Sequence, residues 1–152
     1  MKLTSLQFEH NTRIPIKYTC EGEDINPSLT ISDVPAAAKS LVLIMDDPDV
    51  PKQFRPDGMW DHWIKFNIPA VTTVIEEGRE PEGISGLGTS GNLKYHGPCP
   101  PDGEHRYTFK LYALDTQLNL SEGVTKKEVE VAMQHHILDE AVLIGLYEKE
   151  NK

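Results

Sequence analysis

Tyr95-His96-Gly97-Pro98-Cys99-Pro100-Pro101-Asp102-Gly103-Glu104-His105-Arg106-Tyr107 joins a turn-forming segment to the leading edge of an apolar strand. Proline pre-sets φ and glycine permits φ > 0, so a run with Gly97, Gly103 and three prolines makes a shaped rim at modest folding entropy. Directly after it, Tyr107-Thr108-Phe109-Lys110-Leu111-Tyr112-Ala113-Leu114 alternates with the period of a strand, placing Tyr107, Phe109, Leu111 and Ala113 on one face. His105 lies two residues before Tyr107, so its imidazole shares that face. Imidazole and phenol together at a rigid rim suit an anionic oxygen ligand.

Upstream, Ser40-Leu41-Val42-Leu43-Ile44-Met45-Asp46 is a continuous apolar run, expected as a central strand buried on both faces. It stops at Asp47-Pro48-Asp49-Val50-Pro51, because proline cannot extend a ladder. After a polar loop, residues 60–68 read as the next strand. Simple alternation puts His62, Ile64, Phe66 and Ile68 on one face and Trp63, Lys65 and Asn67 on the other. Residues 3–8, 29–31, 71–75 and 140–147 read as further strands. Residues 126–136 form the expected helix, started by a capping box at Thr125 and Glu128, with His136 facing the core and His135 solvated. Residues 76–105 hold seven glycines and four prolines with little periodicity, the composition of a functional loop. Many strands and one helix indicate a mainly β protein.

Three segments in order then carry a resemblance: Asp47-Pro48-Asp49-Val50-Pro51, His62-Trp63 before Asn67-Ile68-Pro69, and Gly97-Pro98-Cys99-Pro100-Pro101-Asp102-Gly103-Glu104-His105-Arg106-Tyr107. Together with Tyr18 to Pro27, they resemble the phosphatidylethanolamine-binding protein family, in particular its bacterial and archaeal Raf-kinase-inhibitor-like branch. The resemblance covers nearly the whole chain. It implies a PEBP-like β-sandwich, a large antiparallel central sheet packed on a smaller one, in a single domain spanning 1–152. It also implies a cis peptide at Val50–Pro51. Its ligand pocket maps onto Asp47, His62, Gly97, Pro98, His105 and Tyr107. Asp47 is expected to orient a histidine and favour its imidazolium, Gly97 to offer a backbone N–H, and Asp49 and Arg106 to serve structure.

Composition bounds the partners. The 152 residues are 38% apolar and 26% charged, an ordinary water-soluble mix, and no run approaches the ~20 apolar residues of a membrane span. With 24 acidic against 15 basic residues, the formal charge of −9 opposes nucleic acid and stable attachment to anionic membranes. An anion site must therefore be a local positive spot. The first ten residues lack the apolar core of a signal peptide, so a cytoplasmic address is expected. In a reducing compartment, Cys20 and Cys99 are expected as free thiols.

No Gly-x-Ser-x-Gly elbow is present and Cys99 lies between two prolines, so catalysis is not expected. Nor is any metal or cofactor, since no paired ligand spacing occurs. The expected role is that of a non-enzymatic binder of a small anion: phosphate, a phosphomonoester or phospholipid headgroup, or a carboxylate. The alternative implied by the resemblance is a regulatory protein contact with a serine protease or a kinase. Formation of a homodimer is a further expectation.

Overall fold

The computed structural model describes residues 1–151. Nine strands and one α-helix follow in chain order. They are β1 (Lys2–Thr4), β2 (Thr12–Arg13), β3 (Leu29–Ser32), β4 (Ser40–Asp47), β5 (Trp60–Pro69), β6 (Val74–Ile75), β7 (Ile84–Ser85), β8 (His105–Leu114), α1 (Lys126–Met133) and β9 (Ile137–Tyr147). A six-stranded sheet has the order β2-β9-β8-β4-β5-β7, and a three-stranded sheet the order β1-β3-β6. Every pairing is antiparallel except the short β2–β9 contact. The mainly β, two-sheet architecture expected from the sequence is what forms.

β4 is buried along its whole length because both of its faces are covered. Leu41, Leu43 and Met45 join one apolar cluster with Leu3, Leu29, Ile31 and Ile75 of the small sheet. Val42 and Ile44 point the other way and pack with Val129 and Met133 of α1. The central sheet is thus a middle layer, which explains why β4 shows no polar alternation.

β5 departs from the simple alternation. Met45 pairs Trp63 while Asp46 pairs Asp61, so His62 is an extra residue in the ladder. A second irregularity lies between Leu41↔Ile68 and Leu43↔Lys65, where Asn67 takes φ +54°. Each extra residue shifts the side-chain phase by one. Ile64 and Phe66 therefore face the helix, whereas Ile68 joins Trp63 in the opposite cluster. The face shared by His62, Ile64, Phe66 and Ile68 in the sequence reading does not exist.

Three smaller expectations are corrected. The helix ends at Met133 because His135 adopts φ +70°, and His136 is partly exposed and bonds Asp115 at 2.8 Å. Val50–Pro51 is trans, since no cis peptide occurs among the described residues. The turn closes through ordinary hydrogen bonds instead, Asp49 N–H to Asp47 Oδ1 at 2.8 Å and Val50 N–H to the Gly58 carbonyl at 3.3 Å.

The third is the state of the thiols: Cys20 and Cys99 form a disulfide. Their Cα atoms lie 5.5 Å apart, within bridging range, and the Cys20 N–H bonds the Pro98 carbonyl at 3.1 Å. Disulfides persist in oxidising surroundings and are rare where thiols are kept reduced. The Cys20–Cys99 bond closes a loop across a separation of 79 residues, for which chain entropy gives roughly 4.5 kcal/mol. Paired Cys20→Ser and Cys99→Ser substitutions should lower unfolding free energy by about 2–5 kcal/mol. Urea denaturation measures this, and a loss under about 0.5 kcal/mol would deny the bridge a stabilising role.

Candidate functional site

Three strand ends meet at one end of the large sheet: the finish of β4 and the starts of β5 and β8. Asp46 and Asp47 point to opposite faces, as neighbours on a strand must. Asp46 is fully buried on the helix side, where Lys110 and Lys126 each approach its Oδ2 at 3.1 Å and Lys126 also meets Asp61 at 2.7 Å. This charge group braces the sheet beneath the site. Asp47 projects the other way, into a cleft of about 230 Å³. The cleft is lined by Asp47, His62, His96 and Tyr107, with apolar walls from Val50, Phe54, Trp60, Cys99 and Pro101.

The extra residue in β5 is what brings His62 here. Pairing without it would have turned the imidazole with Asp61 or Ile64 toward the helix; with it, the ring meets Tyr107 edge-on at 5.3 Å. His62 is 4% exposed, and its Nδ1 lies 2.6 Å from the His96 carbonyl. A carbonyl only accepts, so Nδ1 carries the hydrogen and donates. Burial depresses the imidazole pKa to about 4, leaving the ring neutral near pH 7, with Nε2 as a lone pair.

His105 has the opposite character. It is 3% exposed, its Nδ1–H donates to Asp47 Oδ2 at 2.7 Å, and its Nε2–H donates to Asp102 Oδ1 at 2.9 Å. Burial disfavours its charge, but the two carboxylate bonds outweigh that and raise its pKa. Burial likewise raises the pKa of Asp47, against the hydrogen bonds from His105 and the Asp49 amide. His105 is thus an imidazolium enclosed by carboxylates, with both N–H groups engaged. Expected as a direct contact, it stands behind Asp47 and outside the cleft lining.

Tyr107 is fully buried, and its hydroxyl has no hydrogen-bond partner. The Asp47 carboxylate and the Cys99 amide lie close enough to act on it, yet neither closes a bond of proper geometry. Burial, reinforced by Asp47, pushes the phenol pKa far above its ordinary range, so it remains an O–H donor. A lone buried hydroxyl costs free energy unless something arrives to pair it.

Gly97 and Pro98 are placed otherwise than expected. The Gly97 N–H donates to Asp24 Oδ1 at 2.7 Å, and a Cβ there would sit 2.3 Å from the Tyr18 carbonyl. The Pro98 carbonyl takes the Cys20 amide. Both residues clamp the loop onto residues 18–24 and do not line the cleft. Asp49 and Arg106 are structural, as read from sequence: the Asp49 carboxylate takes the Arg106 amide at 2.8 Å and its guanidinium at 2.7 and 3.0 Å. His96 was missed by sequence reasoning. Its ring stacks on His62 at 5.8 Å, and its carbonyl fixes the His62 tautomer. Phe54, 56% exposed at the mouth, was also missed, because nothing local distinguishes a loop aromatic that edges a pocket.

The two histidines should titrate apart. In a ¹⁵N-detected titration His62 should have its midpoint near 4, and His105 above the ordinary ~6.5. The unfolded chain protonates position 62 first, so stability falls as pH drops from ~6.5 toward 4, by about 3 kcal/mol for this residue. His105 has the opposite sign: its contribution is present below ~6.5 and is lost as pH rises through its raised folded value. His62→Gln should flatten the acid-side loss in urea unfolding; an unchanged slope, or a His62 midpoint at or above ~6.5, would contradict the neutral, depressed-pKa state of this ring.

Comparison with known proteins converges on one group. The family model described as phosphatidylethanolamine-binding protein matches residues 4–148. A UPF0098 protein of Chlamydia pneumoniae is 51% identical over 149 residues, covering 98% of this chain and 99% of its own length. A UPF0098 protein of Methanothermobacter thermautotrophicus is 50% identical, over 98% and 99% of the two chains. Among solved structures, a phosphatidylethanolamine-binding protein homolog of Chlamydia trachomatis superposes with a TM-score of 0.95 at 50% identity, covering 98% of this chain and 97% of that one. Escherichia coli YbcL, described as a member of the mammalian PEBP family, superposes at 0.87 with 28% identity, covering 98% of each chain. With a two-sheet core, a strand-end cleft and close relatives along its length, the chain belongs to the phosphatidylethanolamine-binding protein family.

Proposed function

We propose that this protein acts by binding a small molecule whose compact acidic oxygen group, a phosphate or phosphomonoester, enters the cleft beside Asp47, His62 and Tyr107. The unpaired, fully buried Tyr107 hydroxyl carries the reading, since it is a donor on a cleft-lining residue with no hydrogen-bond partner of its own. The dimensions agree. A cleft of about 230 Å³ lies below the ~300–1,000 Å³ of drug-sized sites and suits a headgroup rather than a whole lipid. The apolar rim of Val50, Phe54, Trp60 and Pro101 strengthens polar contacts on the floor by excluding water.

In this reading the anion is not drawn by a pair of imidazolium rings. His62 is neutral and His105 is compensated, so recognition depends on directed hydrogen bonds more than on charge. Tyr107→Phe isolates this. Inorganic phosphate affinity measured by calorimetry should fall about ten-fold, the worth of one buried hydrogen bond to a charged group. Melting temperature should hold or rise slightly, because an unpaired buried hydroxyl has been removed. Unchanged phosphate affinity would overturn the assignment.

A further inference from the structure

The donors and acceptors around the cleft are unequally matched, and this limits what the ligand can be. Gly97, His105 and His62 bring four N–H groups to this end of the sheet, of which that of Gly97 is held by Asp24 and both of His105 by Asp47 and Asp102. The fourth, His62 Nδ1–H, is held by the His96 carbonyl, so this ring turns a lone pair rather than a proton to the ligand. Asp47 adds a carboxylate whose oxygens retain unused lone pairs after accepting from Asp49 and His105. On the donor side stands the Tyr107 hydroxyl, with the Cys99 amide beside it. A fully deprotonated phosphate or carboxylate would put its oxygens against Asp47 and the Nε2 lone pair, with no hydrogen between them.

Resting on the pocket reading above, we infer that the cleft selects an acidic group that carries its own proton, a phosphomonoester monoanion, over an equally charged phosphodiester or sulfate ester. The P–O–H donates to Asp47 or His62 Nε2, while the unprotonated oxygens accept from Tyr107. The charged and titratable groups around it are Asp47 on β4, His62 on β5, His105 and Tyr107 on β8, and His96 and Asp102 on the loop, with Asp24 3.8 Å behind His96. None of the cleft-lining groups among them is a lysine or arginine, so no strong cation compensates a proton-free oxygen pressed against Asp47. The same accounting separates two sources of phosphate. A free monoester retains the O–H that binding requires; a diester-linked lipid headgroup does not.

The test uses ligands of one charge at a single pH. At about pH 5, below the second phosphate pKa near 6, methyl phosphate is a monoanion with one O–H. Dimethyl phosphate and methyl sulfate are monoanions without one. Calorimetry on the intact oxidised protein, with the His62 imidazole resonances reporting location, should show methyl phosphate binding at least about ten-fold more tightly than either. In Asp47→Asn, where an amide N–H can replace a carboxylate oxygen, that preference should shrink or reverse. Equal binding of all three in the wild type overturns the proton requirement but leaves the pocket reading standing. Binding of none of them, or of ethylammonium in their place, overturns both.

Discussion

The carboxylate of Asp47 is the point on which the site is built. One oxygen closes the turn that ends β4, by accepting the Asp49 amide; the other holds the imidazolium of His105 at the start of β8. Two distant stretches of chain are thereby fixed against each other in a place closed to water, where a hydrogen bond is strong and an unpaired charge is costly. Directly beneath, on the opposite face of the same strand end, Asp46 is held by Lys110 and Lys126. Adjacent carboxylates on one strand thus serve separate layers, one tying the helix to the sheet and the other ordering the cleft.

Around that point, irregularity rather than regularity shapes the cleft. The extra residue in β5 turns His62 out of the helix-facing row and toward Tyr107. Such a bulge beside a binding site re-aims one side chain without disturbing the rest of the sheet. The long loop before β8 is held down at several places: Tyr95 to the Tyr18 carbonyl, Gly97 to Asp24, Cys99 to Cys20, and Glu80 receiving both the Trp63 indole and the Tyr95 amide. A loop so tethered can serve as a rigid wall.

The electrostatic outcome differs from a simple count of histidines. Imidazoles placed near one another do not share a protonation state, because each answers to its own partners. His62, facing a carbonyl and deprived of water, gives up its charge; His105, between carboxylates, keeps it. In a chain of formal charge −9, a floor made of a neutral ring, a phenol and a compensated carboxylate avoids a strong local field. Selectivity then rests on where hydrogens are and where they are not.

Sequence by itself determined a mainly β fold, through the uninterrupted apolar run of 40–46 and the alternation of 107–114, while two packed sheets and a pocket of Asp47, His62 and Tyr107 followed from the resemblance that its ordered motifs carry. It also separated Asp49 and Arg106 as structural, since strand periodicity sets Arg106 on the face away from His105. Tertiary structure alone decided which face His62 takes, that Cys20 and Cys99 meet, that Gly97 spends its amide on Asp24, and that His96 belongs to the cleft. The reason is common to all four. Periodicity reports a residue's relation to its own strand, whereas a bulge, a cross-link and the direction of a hydrogen bond depend on partners tens of residues away, which no local pattern encodes.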